Sequence, residues 1–226
     1  LQHLATSKMR VSSAVGRRLV AAAAAAAFAK LPVLPLLAGP DQFNLSALVV
    51  HAAYAAEKPT AANEYVDQEY GVSFVVPSGW SPEESELSGG RKLLAATDPA
   101  DTDFNLFVAF TPIRGDYTSL GSFGNIDFVG STILPQCPNG ACTLETDGIR
   151  GKMIAQSTGR GAYIFDYLIE QTGQPSRRLR TLFSVQTVEG RGQNLITLTA
   201  QCRQERYDEL STTLREIVDS FRYVST

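Results

Sequence analysis

The chain has 226 residues, 44% of them hydrophobic and 19% charged, proportions that fit a globular domain with a core of its own. Charge is unevenly shared: residues 1–56 carry five Lys or Arg against one acid, Asp41, so the remaining 15 basic and 22 acidic side chains make the body −7 within an overall −3. An acidic body, with no block of Lys and Arg interleaved with aromatics, excludes a binder of phosphate backbones, and no nucleic-acid partner is expected.

From Met9 to Pro40 the chain contains Arg and Ser and no acid, the composition of an organelle transit peptide. Arg17-Arg18 stands before the apolar, alanine-rich run Leu19 to Ala29, in the manner of a twin-arginine export signal. That run is too short to span a bilayer core of roughly 30 Å, and Pro32 and Pro35 follow it. A second apolar stretch, Leu45 to Ala56, ends in Ala53-Tyr54-Ala55, a small-x-small triplet suited to signal peptidase. Residues 1–56 are therefore expected to be a cleavable targeting region, residues 57–64 a linker, and residues 65–226 one domain.

Val72 to Val76 is a β-branched and aromatic run closed by Pro77-Ser78-Gly79, hence a strand and a turn. Arg91 to Thr97 and Asn105 to Pro112 read as two more strands. Asn125 is an N-cap for a short helix that gathers Ile126, Val129 and Ile133 on one side and stops before Pro135. Strands are then expected over Leu144 to Asp147, Gly151 to Thr158, Ala162 to Gln171, Leu179 to Val188 and Leu195 to Cys202. Tyr207, Leu210, Leu214, Ile217, Val218 and Phe221 share one face of a C-terminal helix. Grouped strands with helices in the middle and at the end predict an α+β fold, an antiparallel sheet packed against helices.

Chemistry-bearing residues are few. His3 and His51 are the only histidines and both precede Ala55, so the domain lacks Ser-His and Cys-His pairs, histidine bases and histidine zinc ligands. No catalytic residue is assigned. Asp98, Asp101, Asp103 and Asn105 place oxygen ligands at spacings that can converge on calcium, the one cofactor considered, although Leu106 and Thr111-Pro112 break the EF-hand pattern; a solvated acidic turn has the same look. Arg177, Arg178 and Arg180 form the one basic cluster of the domain, able to pair with acids on a partner or with the body's own carboxylates. Cys137 and Cys142 flank Pro138-Asn139-Gly140, a spacing that suits either a small disulfide loop or two reduced thiols beside a turn, with Cys202 left over. Trp80 follows the Pro77-Ser78-Gly79 turn, where a core edge is expected.

These residues together resemble the PsbP family. The run Tyr70-Gly71-Val72-Ser73-Phe74-Val75-Val76-Pro77-Ser78-Gly79-Trp80 is similar to the family's opening signature. The likeness continues in order through Asp98-Pro99, Asn105-Leu106, Leu120-Gly121-Ser122, Ala162-Tyr163, Asp166-Tyr167 and Leu198-Thr199-Ala200-Gln201 to Asp219-Ser220-Phe221. The resemblance implies an α-β-α sandwich around a central antiparallel sheet. It also implies a plastid precursor whose mature part is a non-catalytic, extrinsic protein of the thylakoid lumen. Such a protein would sit on photosystem II at the oxygen-evolving complex and help retain calcium and chloride. Family members otherwise assist photosystem I or II assembly, and a lumenal calcium or small-ligand module is the remaining alternative. Two departures stand out: the histidine ligand of some members has no counterpart, and the Cys137–Cys142 loop looks like an insertion.

Overall fold

The computed structural model describes residues 63–138 and 140–224. The expected targeting region, with Arg17-Arg18, both apolar runs and the Ala53-Tyr54-Ala55 triplet, lies outside the described residues. The domain is built mostly of strand: β1 (Asn63–Asp67), β2 (Val72–Val76), β3 (Glu83–Leu87), β4 (Arg91–Asp98), β5 (Asp101–Pro112), the helix α1 (Ile126–Ile133), β6 (Gln136–Cys137), β7 (Gly140–Ala141), the single turn α2 (Leu144–Asp147), β8 (Ile149–Gly159), β9 (Ala162–Gln171), β10 (Arg177–Val188), β11 (Gly192–Arg203), the helix α3 (Tyr207–Asp219) and β12 (Arg222–Tyr223).

Seven strands form the main sheet in the order β3-β4-β5-β11-β10-β9-β8, every neighbour antiparallel, and β1-β2-β12 form a smaller antiparallel sheet. Side chains alternate across the main sheet, and each face collects its own core. On one face Leu106, Val108 and Phe110 of β5 stand opposite Ala200, Leu198 and Ile196 of β11. Leu210, Leu214, Ile217 and Val218 of α3, with Phe74 of β2, cover them. On the other face Phe165, Tyr167, Leu179, Phe183 and Leu195 meet Val129 and Ile133 of α1 and Tyr117, Leu120 and Phe123 of the segment before it. Burying a side chain of this size contributes about 1.5–3 kcal/mol, so the two clusters dominate stability.

The antiparallel sheet agrees with expectation, but helices are few and the expected α-β-α layering is not met in detail. One face carries a thirteen-residue helix beside a small sheet, and the other only the eight-residue α1 with its preceding segment. Asn125 caps α1 as the sequence predicts, its side chain accepting from Phe128 N–H at 2.9 Å. Trp80 is buried, edge-on to Phe104 with ring centroids 4.7 Å apart.

Two elements differ from the sequence reading. Leu144–Asp147 is a helical turn and not a strand: the Thr143 side chain accepts from Thr146 N–H, Asp147 accepts from Thr143 N–H at 2.8 Å, and Gly148 ends the turn at φ 68°. Asp101 and Asp103 lie on β5 and not in a turn, because β4 and β5 are joined by a tight hairpin in which Asp98 faces Asp101. Two edge elements, β1 and β3, went unforeseen, β1 starting at Asn63 within the stretch expected as linker. Among the described residues no helix is long and apolar enough to cross a membrane.

Candidate functional site

Antiparallel pairing sets Arg177 of β10 opposite Arg203 of β11, two like charges that would repel across the sheet. Asp103, reaching over from β5, resolves the conflict. One carboxylate oxygen accepts from Arg177 Nη2 at 2.7 Å and the other from Arg203. Burial pushes the Asp103 carboxyl up, but the hydrogen bond from Arg203 and the charges of Arg177 and Arg203 outweigh it and hold the group below the usual carboxylate range. Asp101 bonds Arg206, which also grips Glu209 one turn along at 2.9 Å. Asn105 donates to the Thr102 carbonyl and accepts from Gln201 at 3.0 Å. Asp98 accepts from Ala100 N–H at the hairpin tip.

The expected calcium set is thus spread along one strand and its hairpin. Asp101 and Asp103 are held by guanidinium groups, and Asn105 points into a side-chain amide pair. A cation at Asp101 or Asp103 would have to displace arginine.

Arg178 and Arg180 point to the opposite face from Leu179, as the strand period requires. The Arg178 guanidinium lies 4.3 Å from the centroid of the Tyr207 ring on α3. Arg180 donates to its cross-strand partner Asp166 and, through Nη2 at 2.7 Å, to Asp219 at the end of α3. Each of the three arginines therefore has a partner within the domain.

Beside Arg180 opens a cleft of about 280 Å³, floored by Ile164, Leu182, Val218 and Phe221 and rimmed by Arg160 and Arg180. Arg160 sits between two glycines in the β8–β9 hairpin with φ 51°, a left-handed conformation uncommon for a residue with a Cβ. That turn aims its Nη1 at the Asp219 carbonyl, 2.9 Å away, where the partial negative end of the helix favours a cation. Sequence reasoning missed this role. Its one local signal is Gly159-Arg160-Gly161 between two strand patterns.

A second charged cluster, also unforeseen, lies at the β1–β3–β4 side. The Lys92 ammonium is nearly buried and meets Asp67 at 2.9 Å and Glu84 at 2.8 Å. Asp67 also accepts from Tyr70 N–H at 3.0 Å, and Tyr65 O–H donates to Glu84. Burial alone would lower the Lys92 pKa; bonds to Glu84 and Asp67 overcome it and raise the group above an ordinary lysine. Arg191 pairs with Glu69 and lies beside the Tyr70 ring.

Cys137 and Cys142 are joined as a disulfide across the β6–β7 hairpin, one of the two states their spacing allows. Cys202 is buried on β11 as a free thiol, its pKa pushed up to about 11 by that burial.

The chain is 23% identical over 178 residues to PsbP domain-containing protein 3, chloroplastic, of Arabidopsis thaliana, the alignment covering 78% of this chain and 71% of that protein. Among solved structures it is similar to cyanobacterial PsbP (CyanoP) from Synechocystis sp. PCC 6803, with a TM-score of 0.54, 20% identity, and coverage of 72% of this chain and 92% of that one. The Ran-binding protein Mog1p of Saccharomyces cerevisiae aligns with a TM-score of 0.43 at 12% identity, over 73% of this chain and 96% of that one. A model of the PsbP family matches residues 60–223, the whole of the two-sheet domain described above, and the chain belongs to the PsbP family.

Proposed function

We infer that this protein is a non-catalytic, extrinsic component of the photosynthetic machinery in the thylakoid lumen, docked on the lumenal side of photosystem II at the oxygen-evolving complex. The single observation that carries this reading is the family match across residues 60–223. A chloroplast relative and a targeting-type leader with Arg17-Arg18 support it. The domain sequence supplies no histidine for acid–base or nucleophilic work, in keeping with a binding role.

In this reading docking is electrostatic and runs through the start of β10, where Arg177 lies on one face of the sheet and Arg178 and Arg180, with Arg160, lie on the α3 face. Arg177 bonds Asp103, Arg180 bonds Asp166 and Asp219, and Arg160 reaches the end of α3, so a partner's carboxylate would compete with these contacts, whereas the Nε of Arg178 is buried beside Tyr207 without a hydrogen-bond partner among the described residues. The calcium contribution is minor: with Asp101 and Asp103 held by arginine, titration with millimolar calcium should give no saturable heat.

Thylakoids washed at increasing salt test the proposal. The protein should co-sediment with photosystem II at low salt and leave it as salt screens the contact. Recovery only in the free lumenal fraction would sink it, and recovery with assembly intermediates alone would favour the assembly-factor role.

A further inference from the structure

We propose that the Cys137–Cys142 loop, once its disulfide is reduced, is a zinc-class metal site, with the two thiolates and the Asp147 carboxylate as protein ligands. Three ligand atoms, one from each of these residues, lie within 4.8 Å of one another. Among the described residues no other group of three such side chains gathers this closely.

The local structure explains why Asp147 is there. It closes the α2 turn, and one carboxylate oxygen, Oδ2, takes both the Thr143 N–H at 2.8 Å and the Thr146 hydroxyl at 2.9 Å. Among the described residues the hydrogen bonds to this carboxylate fall on Oδ2.

Geometry permits the exchange. Tetrahedral zinc with Zn–S bonds of about 2.3 Å places its two sulfurs roughly 3.8 Å apart, so the pair must separate from bonding distance but stays inside the present spread. The hairpin is able to make that adjustment: β6 and β7 are two residues each, and Gly140 adopts φ 118° with nothing within 4 Å of where a Cβ would sit. Its base is anchored where Leu134 and Pro135 pack on Gly151 of β8, so opening the disulfide stays local. Two sulfurs and one oxygen suit a borderline-soft cation and leave a fourth position for water; calcium, which takes oxygen ligands, is a poor fit.

A dithiol reductant passes two electrons and two protons to the cystine, becoming a disulfide itself and leaving Cys137 and Cys142 as thiols. Zinc then displaces both thiol protons as it binds. Disulfide and metal use the same sulfur atoms, so each state excludes the other.

The test uses the full chain with His3→Gln and His51→Gln, so that no imidazole competes, titrated with zinc before and after reduction. One zinc should bind per reduced chain, at least tenfold more tightly than to the oxidised chain. Cobalt in its place should give sulfur-to-metal charge-transfer absorption. Cys137→Ser/Cys142→Ser should abolish both signals, and Asp147→Asn should weaken zinc on the order of tenfold while keeping the charge-transfer band. Equal zinc affinity in the two redox states would overturn the proposal. So would a charge-transfer band that persists in the double serine variant, which would point to Cys202.

Discussion

Two charged clusters hold the main sheet from opposite sides, and they are built on different principles. At the β1–β3–β4 side a single nearly buried ammonium, Lys92, is shared by Asp67 and Glu84. At the other, arginines alternate with carboxylates along strand ends that water still reaches. A lysine so enclosed is a fixture: nothing outside the domain competes for it. The arginine cluster is more open: Arg180 is enclosed, but Arg203 is 41% exposed and Arg206 35%, so water competes for the same carboxylates.

The largest break should come at the buried side. Asp67→Ala leaves Lys92 in a nearly dry site with Glu84 at 2.8 Å and Glu69 at 3.9 Å beside it. It should cost about 3 kcal/mol, the lower end of the usual 3–5 for breaking a buried pair, because these carboxylates remain. Urea unfolding followed by Trp80 fluorescence measures it, and a change under about 1 kcal/mol would mean that Lys92 finds water. Asp103→Ala should follow at about 1–3 kcal/mol, since it leaves Arg177 and Arg203 facing each other; unlike the first change, it should also weaken salt-sensitive membrane retention.

Titration sharpens the contrast. Carboxyls whose folded values are depressed, Asp103 and Glu84, add stability that is complete above the ordinary carboxylate range and is lost as pH falls through their folded values. Lys92, whose folded value is raised, adds stability present below the ordinary lysine value of about 10.4 and lost only as pH climbs through the higher folded value. Acid should therefore loosen both clusters and strong alkali only the Lys92 one. Asp103→Asn should flatten the acid limb of a stability–pH curve and leave the alkaline limb unchanged. Cys137→Ser/Cys142→Ser should cost no more than about 2 kcal/mol, because the cross-link closes a very short loop. A larger loss would show that the hairpin is structural and not merely local.

Much of this fold can be read from the sequence where burial dictates residue type. Val72–Val76 and Ala162–Gln171 are legible because nearly every position faces a core or a neighbouring strand, and α1 because Asn125 announces its start. β3 is not, since Glu-Glu-Ser-Glu-Leu lies on an exposed edge and carries none of the β-branched or aromatic signal on which strand assignment rests. Leu144–Asp147 reads as a strand although Thr143, Asp147 and Gly148 together spell a capped turn, because four residues with a single apolar side chain are too short to show a helical period. The charged sites were legible as residues but not as pairs. Arg177 and Asp103 are 74 positions apart, and only the order β5-β11-β10 brings them together.

The small sheet has a consequence for how the domain comes into being. β1, the first described strand, and β12, the last, both flank β2, so they lie about 10 Å apart at two strand spacings. β12 is further tied by the Val224 N–H bond to the Gly71 carbonyl. The opening signature strand therefore finds its second neighbour only after residue 223 has arrived. The central hairpins pair residues close in sequence, whereas this corner joins Ser73 to Arg222, so it is the slower contact to form as the chain folds.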